Sequence, residues 1–199
     1  LEAVALQTGR KFVYQNANIE ANLMQIKEAV DLLIMSGLII PVTHSSANGI
    51  PLGAESNPKK RKFFIFDTGL YQRICNLNLS EIVLENDFNS INKGAIAEQF
   101  VGLELIKYAD PFHQENLYYW HRETSSSNAE IDFIIQKQNE IIPIEVKSSG
   151  KGSMQSMYQF LKDKKRNKGI RISLENFSKI NEIQIIPLYA VSNLFQSNL

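Results

Sequence analysis

Two carboxylates and a lysine have the types and spacing to do chemistry together. Asp132 sits in the run Asn128-Ala129-Glu130-Ile131-Asp132-Phe133, and Glu145-Val146-Lys147 closes the run that starts at Ile141. Both runs have the apolar content of strands, and the polar Gln138-Asn139 between them predicts the turn of a hairpin. Folding symmetrically about that turn pairs Ile131 with Val146, Phe133 with Ile144 and Ile135 with Ile142 on one apolar face. Alternation along a strand then sets Asp132 opposite Glu145 on the other face. Like charges so opposed destabilise a sheet. A divalent cation between them removes the repulsion, and hard ions such as Mg2+ take carboxylate oxygens. Lys147 projects from the same face as Glu145. Flanked by acids it should stay protonated, which suits it to orienting a water or to stabilising charge on a phosphate. A metal beside a fixed ammonium is an apparatus for phosphodiester hydrolysis. The same register sets Glu130 opposite Lys147, and a cross-strand ion pair would account for that lysine without chemistry. Both readings stand at this level.

Several elements must position these residues. A weak strand is expected at Lys11 to Tyr14. The spacing of Ile19, Leu23, Ile26, Val30, Leu33 and Ile34 predicts a helix, with Asn18 as its cap and Gly37 as its stop. A strand over Leu38–Thr43, a turn-rich stretch, a returning strand over Lys62–Phe66 and a short helix over Thr68–Asn76 follow. Helix, strand, long turn and returning strand is the order at the back of a winged helix. The exposed face of the helix carries Glu20, Glu28 and Asp31 beside Lys27. That face is poor for DNA, so inter-domain packing is the competing role. Residues 77–92 read as a linker. Beyond it come a helix over Lys93–Tyr108, strands at Leu117–Arg122, Ala129–Lys137 and Glu140–Lys147, a helix over Ser153–Lys165, and strands at Ile170–Leu174 and Ile183–Tyr189. The expected fold is α/β (α+β), with a winged-helix-like module over 1–80 and a mixed sheet flanked by helices over 81–199.

Composition narrows the function. The 199 residues carry 21 basic and 21 acidic side chains, so no global field draws the chain to nucleic acid. Contact with DNA would have to come from local clusters; the candidates are Lys59, Lys60, Arg61 and Lys62, a second run of Lys162, Lys164, Lys165, Arg166 and Lys168, and Lys151 in the turn after Lys147. A single cysteine, Cys75, excludes an internal disulfide and points to a reducing cytoplasm. His44, His121 and His113 are far apart in sequence and give no support for a zinc site. No run approaches the length needed to cross a bilayer, so no membrane partner is expected. The start at Leu1 rather than Met predicts a piece of a longer protein.

Glu98 on a first helix, Asp132 on a second strand, Glu145-Val146-Lys147 on the third and Gln159 on the next helix resemble the core of the PD-(D/E)xK nuclease superfamily, without its leading proline. The phrases Asn92–Phe100, Leu117–Arg122, Asn128–Asp132 and Pro143–Ser148 resemble the C-terminal region of a prokaryotic AAA-type ATPase family. There a P-loop ATPase is followed by a winged-helix segment and a restriction-endonuclease-like domain of unassigned function. The resemblance implies Mg2+ or Mn2+ held by Asp132 and Glu145, with the Val146 carbonyl and Glu98 as further ligands. It implies that Lys147 orients water and Gln159 supports substrate or lysine. It also implies an upstream ATPase domain as partner. No phosphate loop occurs here, so no ATP site is expected in these residues. A catalytically silent docking module for the ATPase is the alternative.

Overall fold

The computed structural model describes residues 1–17, 20–77, 90–109, 116–123, 128–148 and 152–196. The chain opens with α1 (Glu2–Ala5), an element that the sequence pattern did not announce. The strand expected at Lys11 to Tyr14 reduces to one bond, from the Phe12 amide to the Arg61 carbonyl at 2.9 Å, followed by a 3-10 turn over Tyr14–Asn16. Next comes α2 (Leu23–Met35), which starts later than the apolar spacing suggested. Asn22 and Gln25 form a reciprocal capping box there and satisfy two otherwise orphaned amides. The expected cap, Asn18, lies outside the described residues. Gly37 ends the helix at φ +70, with bonds from its own amide to Ile34 and from Leu38 to Leu33. That is a Schellman closure, which favours glycine at the left-handed position.

Strands β1 (Ile39–Ser45) and β2 (Ser56–Ile65) form an antiparallel hairpin. The return strand starts earlier than expected because Ser56 and Asn57 already pair with Ser45 and His44, across an irregularity at Thr43/His44. Pro58 falls in that irregular stretch, where no ladder amide is required. Short α3 (Thr68–Ile74) is capped by the Asp67 carboxylate, which accepts the Leu70 amide at 2.7 Å. Long α4 (Ser90–Lys107) follows. Then come β3 (Leu117–His121), β4 (Glu130–Lys137), β5 (Glu140–Val146), α5 (Gln155–Asp163), β6 (Gly169–Ser173), β7 (Ser178–Ile180), β8 (Ile183–Pro187) and α6 (Asn193–Gln196). The edge strand β7 was not foreseen; all three of its residues are exposed, so no apolar pattern marks it.

All eight strands belong to one mixed sheet in the order β2-β1-β3-β4-β5-β6-β8-β7. The N-terminal hairpin is therefore no free-standing wing. It joins the C-terminal strands through parallel pairing of β1 with β3, Val42 to Leu117 and His44 to Tyr119. Antiparallel β3, β4 and β5 form the expected meander, and α5 carries the crossover to parallel β6. Helix α4 covers one face with Val101 and Leu105 against Phe64, Phe133 and Ile144. Gly102 permits this approach, since a Cβ there would stand 2.8 Å from the Phe64 ring. Helix α5 covers the opposite face with Met157 and Phe160 against Trp120, Ile131, Ile134 and Ile141. Phe63 and Ile65 point away from Phe64 into a third cluster with Val30 of α2 and Tyr71 of α3.

Candidate functional site

The hairpin of β4 and β5 has the expected register from Phe133–Ile144 through Ile135–Ile142 to Lys137–Glu140. Towards its open end the expectation needs correcting. Tyr118 of β3 pairs with Ile134 but Trp120 pairs with Ile131, so Tyr119 alone stands opposite two residues of β4, Asp132 and Phe133. This bulge turns Ile131 into the α5-side cluster while Phe133 stays in the α4-side cluster. Ile131 therefore does not share a face with Phe133. Nor does Asp132 sit in a simple cross-strand pair with Glu145. Its Oδ2 accepts the Val146 amide at 2.7 Å, so a side chain continues the ladder beyond Phe133.

Four carboxylates and two ammoniums gather there. Lys62 of β2 is 1% exposed and donates to Glu98 of α4 at 3.0 Å and to Glu130 of β4 at 2.5 Å. Its ammonium also lies 5.1 Å from the centre of the Tyr119 ring. Burial alone would lower its pKa, but Glu98, Glu130 and Asp132 overcome that and raise it, so Lys62 is charged. On the other branch Lys147 donates to Glu145 at 2.5 Å. Lys147 is half-buried and Glu145 is buried. The expected alternative, Lys147 paired with Glu130, is corrected: Glu130 is claimed by Lys62. Asp132 lies between the two branches and feels both ammoniums.

The carboxylates outnumber the ammoniums by two. Glu145 carries the consequence: burial first, then Asp132, push its pKa up to about 7. Burial also raises the pKa of Asp132, and of Glu98 against the opposing pull of Lys62. Glu145 Oε2 is buried with no hydrogen-bond partner, although buried polar atoms normally have one. Protons or a cation would relieve this shortage, and the donor set is all oxygen, which suits Mg2+ or Mn2+. Glu98 is differently placed. Its Oε1 is taken by Lys62, and its Oε2 faces Gly9, where a Cβ would come within 3.1 Å and where φ is +75. Beside it Gln99, fully buried, accepts the Ile65 amide at 3.2 Å and pins α4 to the end of β2. Neither Lys62 as a core cation nor Gln99 was foreseen as part of this arrangement. A lysine within a basic run carries no sequence mark of burial.

Gln159 does not reach the cluster; its amide donates to Asp163 at 2.7 Å, one turn along α5. The predicted basic grip is likewise dispersed. Lys60 pairs with Glu123, Arg61 donates to the Tyr14 hydroxyl at 2.9 Å, Lys62 is buried, and Lys59 alone of the four is exposed. Alternation along β2 splits the run between faces. Lys151 lies outside the described residues.

Residues 93–191 match the model of a domain of unknown function, DUF4143. That domain is found at the C-termini of AAA-ATPase-like proteins. Residues 1–81 match a second domain of unknown function, DUF8612. No curated protein and no solved structure matches the chain significantly. Among the described residues no helix is long and apolar enough to cross a membrane.

Proposed function

We propose that the chain is the C-terminal region of an AAA-type ATPase, with a winged-helix-like N-terminal module and a PD-(D/E)xK nuclease-like domain that acts on DNA with Mg2+ or Mn2+. The observation that carries the reading is the charge shortage around Asp132 and Glu145, with an unpartnered buried oxygen on Glu145. Asp132 and Glu145 would hold the ion, with the Val146 carbonyl as a further ligand; the Val146 amide fixes Asp132. Glu98 holds Lys62 in place rather than meeting the ion directly. The ion, when bound, polarises a phosphate oxygen and eases deprotonation of its water. Lys147, partly exposed at the end of β5, orients the attacking water and stabilises charge on the phosphate. Gln159 has no part in this reading, because Asp163 takes its amide.

A second reading has its own support. Lys62 neutralises part of the acid cluster from within, and the basic residues at 60–62 all have partners in the protein itself. Both features fit a catalytically silent docking domain for the upstream ATPase. Plasmid nicking with Mn2+ separates the two. The nuclease reading expects nicking by the wild type and none by Lys147→Ala or Asp132→Ala. Folded wild type that binds Mn2+ but leaves the plasmid intact rejects hydrolysis and leaves the docking role.

A further inference from the structure

The parallel junction of β1 and β3 brings together residues that are distant in sequence. His44 of β1 is 2% exposed, His121 ends β3, and Glu123 follows two residues later. One ligand atom from each lies within 4.8 Å of the others, the one such trio of His, Cys, Asp or Glu among the described residues. The two imidazoles meet edge-on, with centroids 4.4 Å apart and planes at 83°. Sequence separation alone had argued against any such site, and the fold overturns that argument.

We propose that His44, His121 and Glu123 form a second metal site, taking a transition-metal ion of the Zn2+ class and stapling the N-terminal hairpin to the main sheet. His121 Nδ1 is buried with no hydrogen-bond partner, and a bound ion accounts for it. His44 Nε2 lies 3.4 Å from the His121 carbonyl. Donation there fixes the tautomer and leaves Nδ1 free to ligate, the arrangement in which a backbone acceptor orients a metal-binding histidine. That Nδ1 stands 4.0 Å from Glu123 Oε1. A tetrahedral ion with arms of about 2.1 Å needs donors roughly 3.4 Å apart, and Glu123, with half its side chain in solvent, has room to close the gap. Lys60, now paired with Glu123, is the cation that the ion displaces. Two imidazoles and one carboxylate favour Zn2+ over Mg2+, and water completes the set. This site shares no residue with the acid cluster, so either can fail without the other.

The test uses the 199-residue chain carrying Asp132→Ala, which removes the acid cluster's claim on the ion. Zn2+ calorimetry should show one equivalent, and Co2+ should develop the visible absorption of tetrahedral coordination. Adding His121→Ala should weaken Zn2+ more than about 100-fold, beyond the usual cost of outer-shell changes. Glu123→Gln, at an exposed position, should weaken it without disturbing the fold, and Lys60→Met should tighten it. Equal Zn2+ affinity in the parent and Glu123→Gln would overturn the proposal. So would a Co2+ spectrum unchanged from that of the free ion.

Discussion

The two lysines of the acid cluster both act on Asp132, yet they occupy different environments. Lys62 is sealed in by two carboxylates and an aromatic ring, and solvent touches 1% of its side chain. Lys147 has one carboxylate partner and keeps 29% of its side chain in solvent. Burying an ammonium so completely costs more than a surface pair returns, so it persists only where several acids compensate it. Lys62 thus closes the seam where the N-terminal hairpin meets α4 and β4, and Lys147 stays accessible to solvent. Charge alone does not distinguish them; burial and the number of partners do.

The largest expected effect breaks the sealed side of this comparison. Lys62→Met leaves Glu98 and Glu130 without their cation and should cost about 3–5 kcal/mol of stability, measured by urea denaturation. The next effect concerns pH. Glu145 has a folded pKa near 7, above its unfolded value of about 4.5. A raised acid binds more protons in the folded state, so its contribution to stability is full below pH 4.5 and is lost as pH rises to 7. From Glu145 alone the metal-free protein should lose up to about 3 kcal/mol across that window; the raised Glu98 and Asp132 add a fall of the same sign, so Glu145→Gln should reduce the slope without removing it. Smaller still, Lys147→Ala should cost no more than about 1 kcal/mol, because Glu145 can take a proton in place of its partner. On the proposed nuclease reading it should also remove Mn2+-dependent nicking, which would separate the two lysines by function. At the bottom, Lys168→Ala breaks an exposed pair with Glu140 and should stay within about 0.5 kcal/mol of the wild type.

The legible parts of this molecule are those written in local alternation. Phe133–Ile144 and Ile135–Ile142 pair as expected because every second residue of both strands is apolar and the Gln138-Asn139 turn fixes the register. Gly37 ends its helix because few residues other than glycine accept φ +70. What escaped the sequence depends on distant partners. The bulge that re-aims Asp132 is set by the pairing of β4 with β3, not by β4 itself. Lys62 reads as one more member of a basic run, and only the approach of α4 with Glu98 makes it a core residue. His44 and His121 meet through a parallel pairing that spans most of the intervening chain.

The central proposal is that the cluster, with four carboxylates against two ammoniums, accepts a divalent ion with release of protons. Calorimetry of Mn2+ binding near pH 7, in two buffers of different ionisation enthalpy, tests it most directly. Wild type should bind one ion at the cluster with heats that differ between the buffers, because Glu145 loses its proton, and Asp132→Ala should lose that binding. Equal Mn2+ heats from wild type and Asp132→Ala would contradict the account.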